Sequence, residues 1–117
     1  MAAEDVDNAA QSAHQAFLKY RQLNPRTRAQ LLLKWDQLIR ENRDDLAKIV
    51  THETGKPLAE SYGEIDYATG FTWWFAGEAE RIRGTIAVPA APGRRVFPIK
   101  QPIGVAAALV PWNFPIA

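Results

Sequence analysis

Asn113 is the side chain in this sequence best suited to stabilise a charge that develops during a reaction. It stands in Pro111-Trp112-Asn113-Phe114-Pro115, directly after the apolar run Val105 to Val110. Each proline fixes its own φ and drives the residue before it toward extended backbone, so the loop is stiff. A carboxamide held on a stiff loop can aim its N–H at an oxygen that gains charge in a transition state. The same residues also suit a turn whose aromatics fill a core and whose Asn caps a following helix. The residue pattern alone leaves both readings open.

Other candidate chemistry is thinner. Glu60 and Glu64, four apart on one helix, have the spacing of an acid/base or metal pair. No histidine stands beside them, which makes a solvated helix face the expectation. His14 and His52 stand singly and are expected to be structural. Tyr62, Tyr67, Phe71, Trp73, Trp74 and Phe75 form an aromatic group expected to pack in a core or a subunit interface. Arg94, Arg95 and Lys100 read as a solvated basic loop. Neither G-x-G-x-x-G nor G-x-x-x-x-G-K-[ST] occurs, so no complete dinucleotide or phosphate loop is expected within the chain. Zero cysteines exclude disulfides, thiolate metal sites and a cysteine nucleophile among these 117 residues.

These groups need a framework to position them. Apolar content of 47% with 23% charged residues is ordinary globular composition, and the length suits one domain. A net charge of +1 gives no electrostatic case for nucleic acid or anionic lipid. The longest apolar stretch, Gly104 to Trp112, is too short to span a membrane. Val6, Ala9, Ala10, Ala13, Phe17 and Tyr20 fall on one helix face, with Glu4, Asp5 and Asp7 at its N-terminus. Asn24-Pro25 reads as an N-cap with proline in the first turn. A long stripe then runs through Leu31, Leu32, Trp35, Leu38, Ile39, Leu46, Ile49 and Val50, predicting a second helix that Gly55 stops. Pro57 opens a third, with Leu58, Ile65, Thr69, Thr72, Phe75, Ala79 and Ile82 on its inner face and Gly84 at its end.

Beyond residue 84 the pattern becomes strand-like. Thr85 to Val88 and Val96 to Lys100 predict two short strands around Ala91-Pro92-Gly93, with Pro98 marking an edge. Val105 to Val110 is apolar on both faces and predicts a central parallel strand covered by helices.

Several stretches carry a family resemblance. They are Asp5-Val6 to Ala16-Phe17, Glu53-Thr54-Gly55-Lys56-Pro57-Leu58-Ala59-Glu60, the helix Glu64 to Gly84 with Trp74-Phe75-Ala76, and Lys100-Gln101-Pro102-Ile103-Gly104-Val105 running into Pro111 to Pro115. Together they resemble the N-terminal part of an aldehyde dehydrogenase, most similar to the succinate-semialdehyde dehydrogenase branch. The resemblance implies an α/β fold: three helices over 1–84, an oligomerisation-type hairpin over 85–102, then over 103–117 the first parallel strand of a Rossmann-like sheet with an active-site loop. It implies oxidation of an aldehyde, succinate semialdehyde first among candidates, with NAD or NADP. Asn113 would bind the oxyanion formed when a cysteine thiolate attacks the aldehyde. Pro111 and Trp112, with Asn113, would border the nicotinamide, and Phe114 would line the substrate tunnel. The family's cysteine, general-base glutamate and glycine-containing cofactor loop have no counterpart here, so the chain reads as a fragment not expected to be active alone. A non-catalytic product, inert or pairing with a full-length relative, is the alternative. The resemblance further implies a homo-oligomeric parent, dimer or tetramer. With no targeting segment evident, the cytoplasm is the expected compartment, a mitochondrial parent remaining open.

Overall fold

The computed structural model describes residues 2–117. Four helices are present: α1 (Ala3–Tyr20), α2 (Pro25–Glu41), α3 (Arg43–Thr54) and α4 (Leu58–Ala79). The chain divides into two compact units, one joining the residues up to Leu23 with Arg81–Ala106, the other joining Asn24–Glu80 with Ala107–Ala117.

In the second unit, α2 and α3 both pack on α4. Local chemistry fixes the helix ends. Asn24 accepts a hydrogen bond from Thr27 N at 2.9 Å, and Pro25 takes the first helical position where no N–H is needed. Gly55 ends α3 in the left-handed region, φ 75°, which a side chain would disfavour. The long stripe predicted as one helix is two. Asn42 breaks it: its amide donates to Leu38 O at 2.8 Å, and its backbone (φ −104°, ψ 19°) leaves helical geometry. A short polar side chain that binds a nearby carbonyl offers the backbone an alternative to the helix.

The core holds Ile39, Ala47, Val50 and Ile65, with Leu46, Tyr62 and Ile116 packed against it. The buried face of α4 is Ser61, Glu64, Ile65, Ala68, Thr69, Thr72 and Ala76, at helical three- and four-residue steps. Ile65, Thr69 and Thr72 meet the expectation; Phe75, 56% exposed, and Leu58 do not. Small side chains let α2 and α3 approach closely, whereas the bulky aromatics are turned away. Tyr67, Phe71, Trp73, Trp74 and Phe75 are therefore exposed, so of their two expected places, core or subunit interface, they do not take the core. The helix also ends at Ala79, short of Gly84.

Polar bonds tie the helices where the face is not apolar. Asp36 on α2 accepts from Thr72 Oγ1 on α4 at 2.7 Å and from Arg40 Nε at 2.8 Å. Arg43 on α3 grips Asp66 on α4 through two bonds of 2.7 Å, and its guanidinium lies 4.4 Å from the Tyr62 ring centroid.

In the first unit, α1 buries no residue. The expected hairpin is reduced to a single antiparallel bridge between Ala87 and Val96, flanked by a bond from Thr85 N to Pro98 O at 3.1 Å. Proline explains the short ladder, since Pro89 and Pro98 have no N–H to donate. Gly84 is needed for this approach rather than for a helix end. A Cβ there would lie 2.4 Å from Pro98 O. The expected parallel strand Val105 to Val110 is likewise not a strand: no described residue pairs with it, and Leu109 is 99% exposed. An extended run becomes a strand only when another strand takes its backbone bonds. The described residues are thus helical without a sheet, and the expected hairpin and parallel strand are not formed among them.

Two outcomes follow from this packing. Gly84→Ala should displace the Pro98 carbonyl and weaken the Ala87–Val96 bridge, seen as faster amide exchange at both residues; unchanged exchange would contradict it. Asp36 is held below the ordinary aspartate value of 3.8, foremost by its hydrogen bond from Arg40, against the desolvation that raises it. A depressed carboxylate contributes stability that is full above the ordinary value and is lost as pH falls through the folded one. Asp36→Ala should therefore cost about 1–3 kcal/mol at neutral pH, and urea midpoints should show that difference shrinking below pH 3.8. A difference constant with pH would contradict the assignment.

Candidate functional site

Residues 111–117 follow no regular element. Trp112 and Asn113 form a turn, and Phe114 and Pro115 a bend. The segment is nevertheless attached to the second unit at three points. Ile116 packs its side chain on the core. Its backbone N–H donates to Glu64 Oε1 at 2.9 Å. Lys56 Nζ donates to the carbonyl oxygen of Asn113 at 2.5 Å and lies 4.1 Å from the Phe114 ring centroid, a cation–π distance.

Lys56 and Glu64 also bond each other, Nζ to Oε2. The Glu64 side chain is 0% exposed and that of Lys56 is 13% exposed, so this is a buried ion pair. Lys56 sits in the connector between α3 and α4, just past the left-handed Gly55 and before Pro57, and its N–H reaches Thr54 Oγ1 at 3.2 Å. Each carboxylate oxygen of Glu64 has one partner: Lys56 on Oε2, the Ile116 backbone on Oε1. Removing one member of such a pair leaves the other charge buried alone, at about 3–5 kcal/mol.

Glu64 therefore departs from the solvated helix face expected of it, while Glu60 is exposed as expected. The signal lay in its neighbours. Ser61, Ala68 and Thr72, three, four and eight residues away on the same face, are small and buried. A carboxylate in line with small residues is a carboxylate beneath a partner. Lys56, set between Gly55 and Pro57, carries no comparable signal in the sequence.

The residues predicted for the site share one loop but are not enclosed. Asn113 and Pro111 are exposed, Trp112 is 82% exposed and Phe114 is half-exposed. The Asn113 carbonyl is engaged by Lys56, while its side-chain amide has no hydrogen bond within the described residues, leaving its N–H free to meet a ligand. Beside the loop, a groove of about 470 Å³ runs past Leu32, Trp35, Phe71 and Phe75 to Ile116. A shallow apolar depression of about 420 Å³ lies on the outer side of α4, over Tyr67, Gly70, Phe71, Trp74 and Phe75. There Tyr67 and Phe71 meet edge to face at 4.9 Å. No group of three His, Asp or Glu side chains suited to a metal occurs among the described residues. None of the described helices is long and apolar enough to cross a membrane.

This chain belongs to the aldehyde dehydrogenase family, whose model matches residues 1–117. Within it the chain is similar to semialdehyde dehydrogenases. It is 49% identical over 109 residues to the mitochondrial succinate-semialdehyde dehydrogenase of Homo sapiens, covering 93% of this chain and 20% of that protein. It is 48% identical over 117 residues to the glutarate-semialdehyde dehydrogenase of Pseudomonas aeruginosa, covering all of this chain and 24% of that one. The crystal structure of an NADP-dependent enzyme of E. coli superposes with a TM-score of 0.88 at 46% identity, over 99% of this chain and 24% of that one. The chain thus spans about a fifth to a quarter of the length of the relatives it matches.

Proposed function

We propose that this chain is part of an NAD(P)-dependent aldehyde dehydrogenase that oxidises a semialdehyde, succinate semialdehyde in particular, to its carboxylic acid. The observation that carries the reading is the loop itself: Asn113 stands exposed with its carbonyl tied down and its amide free. Attack of a nucleophile on an aldehyde places negative charge on oxygen. A preorganised N–H at that oxygen lowers the barrier because it needs no reorganisation as the charge appears. Asn113 is the donor in this account. Phe114 lines the approach of the aldehyde, its ring held against the Lys56 ammonium.

Pro111 and Trp112 suit the cofactor's nicotinamide end, because both are exposed and Trp112 offers a flat indole. NAD(P), when bound, supplies the hydride acceptor. The thiolate that attacks the aldehyde is not among these 117 residues, which contain no cysteine. The parent would act as a homo-oligomer.

A second reading, a non-catalytic product that pairs with a full-length relative, is favoured by the aromatic side chains left outside: Trp35, Trp73 and Trp74 are each more than half exposed.

Two experiments test the proposal. The purified chain should yield no aldehyde-dependent NAD(P)H above a blank, since no thiolate is present to form the covalent adduct; turnover with succinate semialdehyde would refute that. In a chimera where residues 1–117 replace the matching segment of a full-length relative, Asn113→Ala should lower kcat by ~10²–10³ while cofactor affinity holds. A variant impaired only in cofactor binding would show that the loop's role lies there instead.

A further inference from the structure

We propose that Lys56 and Glu64 are positioning residues for the Asn113 amide, fixing its direction through the loop backbone rather than through the side chain. The inference rests on the oxyanion role proposed above for Asn113.

The two residues grip the loop at both ends of a short, stiff segment. Lys56 Nζ holds the carbonyl of Asn113 at 2.5 Å, and Glu64 Oε1 holds the N–H of Ile116 at 2.9 Å. Between them lie Phe114, whose ring is packed on the same ammonium, and Pro115, whose φ is locked. A segment held at both ends, with a proline inside and one ring pinned, has few torsions left. Its first peptide plane carries the Asn113 carbonyl, so holding that oxygen fixes ψ of Asn113 and limits where its side chain can point. The bond from Lys56 to Glu64 then keeps both grips in register.

Stability alone does not account for the pair. A buried ion pair is, on average, no more stable than apolar side chains of similar volume in its place, so its presence speaks for geometry. The pair is also electrically balanced. Glu64 offsets the Lys56 ammonium, so Lys56 orients the loop without placing an uncompensated positive charge beside the carboxamide.

The test uses the same property. Lys56→Met combined with Glu64→Met removes both grips while leaving apolar side chains of similar volume under the loop. In the 117-residue chain, the melting midpoint should stay near that of the parent, while ¹⁵N relaxation shows residues 113–116 becoming mobile. In the chimera, the double variant should lose kcat by about tenfold or more, short of the ~10²–10³ for removing the amide itself, with KM for aldehyde and cofactor nearly unchanged. Lys56→Met combined with Glu64→Gln keeps an acceptor for Ile116 N–H without leaving a lone buried charge, and should recover part of that loss. Should the double variant not accumulate, a backbone ester at Ile116 decides the matter. It replaces the N–H by oxygen, touches no side chain, and should lower kcat several-fold. Turnover within twofold of the parent in the double variant or the ester, with Asn113→Ala strongly impaired, would overturn the inference and leave the role of Asn113 standing. An unimpaired Asn113→Ala chimera would instead remove the reading on which it rests.

Discussion

A buried carboxylate with two obligations organises the second unit. Glu64 must face an ammonium, because a lone charge with a 0% exposed side chain would be costly, and its second oxygen must find a donor. Lys56 meets the first need and the Ile116 backbone the second. From these follow the course of the α3–α4 connector, the docking of Ile116 on the core, and the turn that displays Asn113. The apolar cluster of Ile39, Ala47, Val50 and Ile65 gives this arrangement a floor.

The helices around it are held by similar logic on a smaller scale. Asp36 and Asp66 each sit on a helix face where a neighbouring helix or turn brings an arginine within bonding distance. Because α4 uses small residues inward, its aromatics form the outer surface. That inversion makes the outer face of α4 apolar without making it part of the core.

What could be read from the sequence was whatever is decided locally. Asn24-Pro25 and Gly55 mark helix ends because capping and a left-handed residue depend on a few neighbouring backbone groups. Asn113 stood out for the same reason, its stiffness written in Pro111 and Pro115. The break at Asn42 was obscured because the apolar stripe continues across it, and a stripe does not register one side chain capturing a carbonyl. Glu64 was hidden for a different reason. Its burial depends on what packs over Ser61, Ala68 and Thr72, a property of two helices together. The run Val105 to Val110 has strand composition, yet a strand is a relation between segments, and no described segment stands beside it. Family membership reaches further than either, since the match extends over residues 1–117 at once.

The central claim is that Glu64 holds the loop bearing Asn113 by its backbone, and amide hydrogen exchange at Ile116 in the unaltered 117-residue chain tests it most directly. The N–H lies in a segment with no helix or sheet partner, and its hydrogen-bond partner among the described residues is the Glu64 carboxylate. Exchange at Ile116 should be slowed to the range seen for the core residue Ile65, and far below that of the exposed Leu109. An Ile116 amide exchanging as freely as Leu109, in a chain whose Ile65 is protected, would show that the loop is not held.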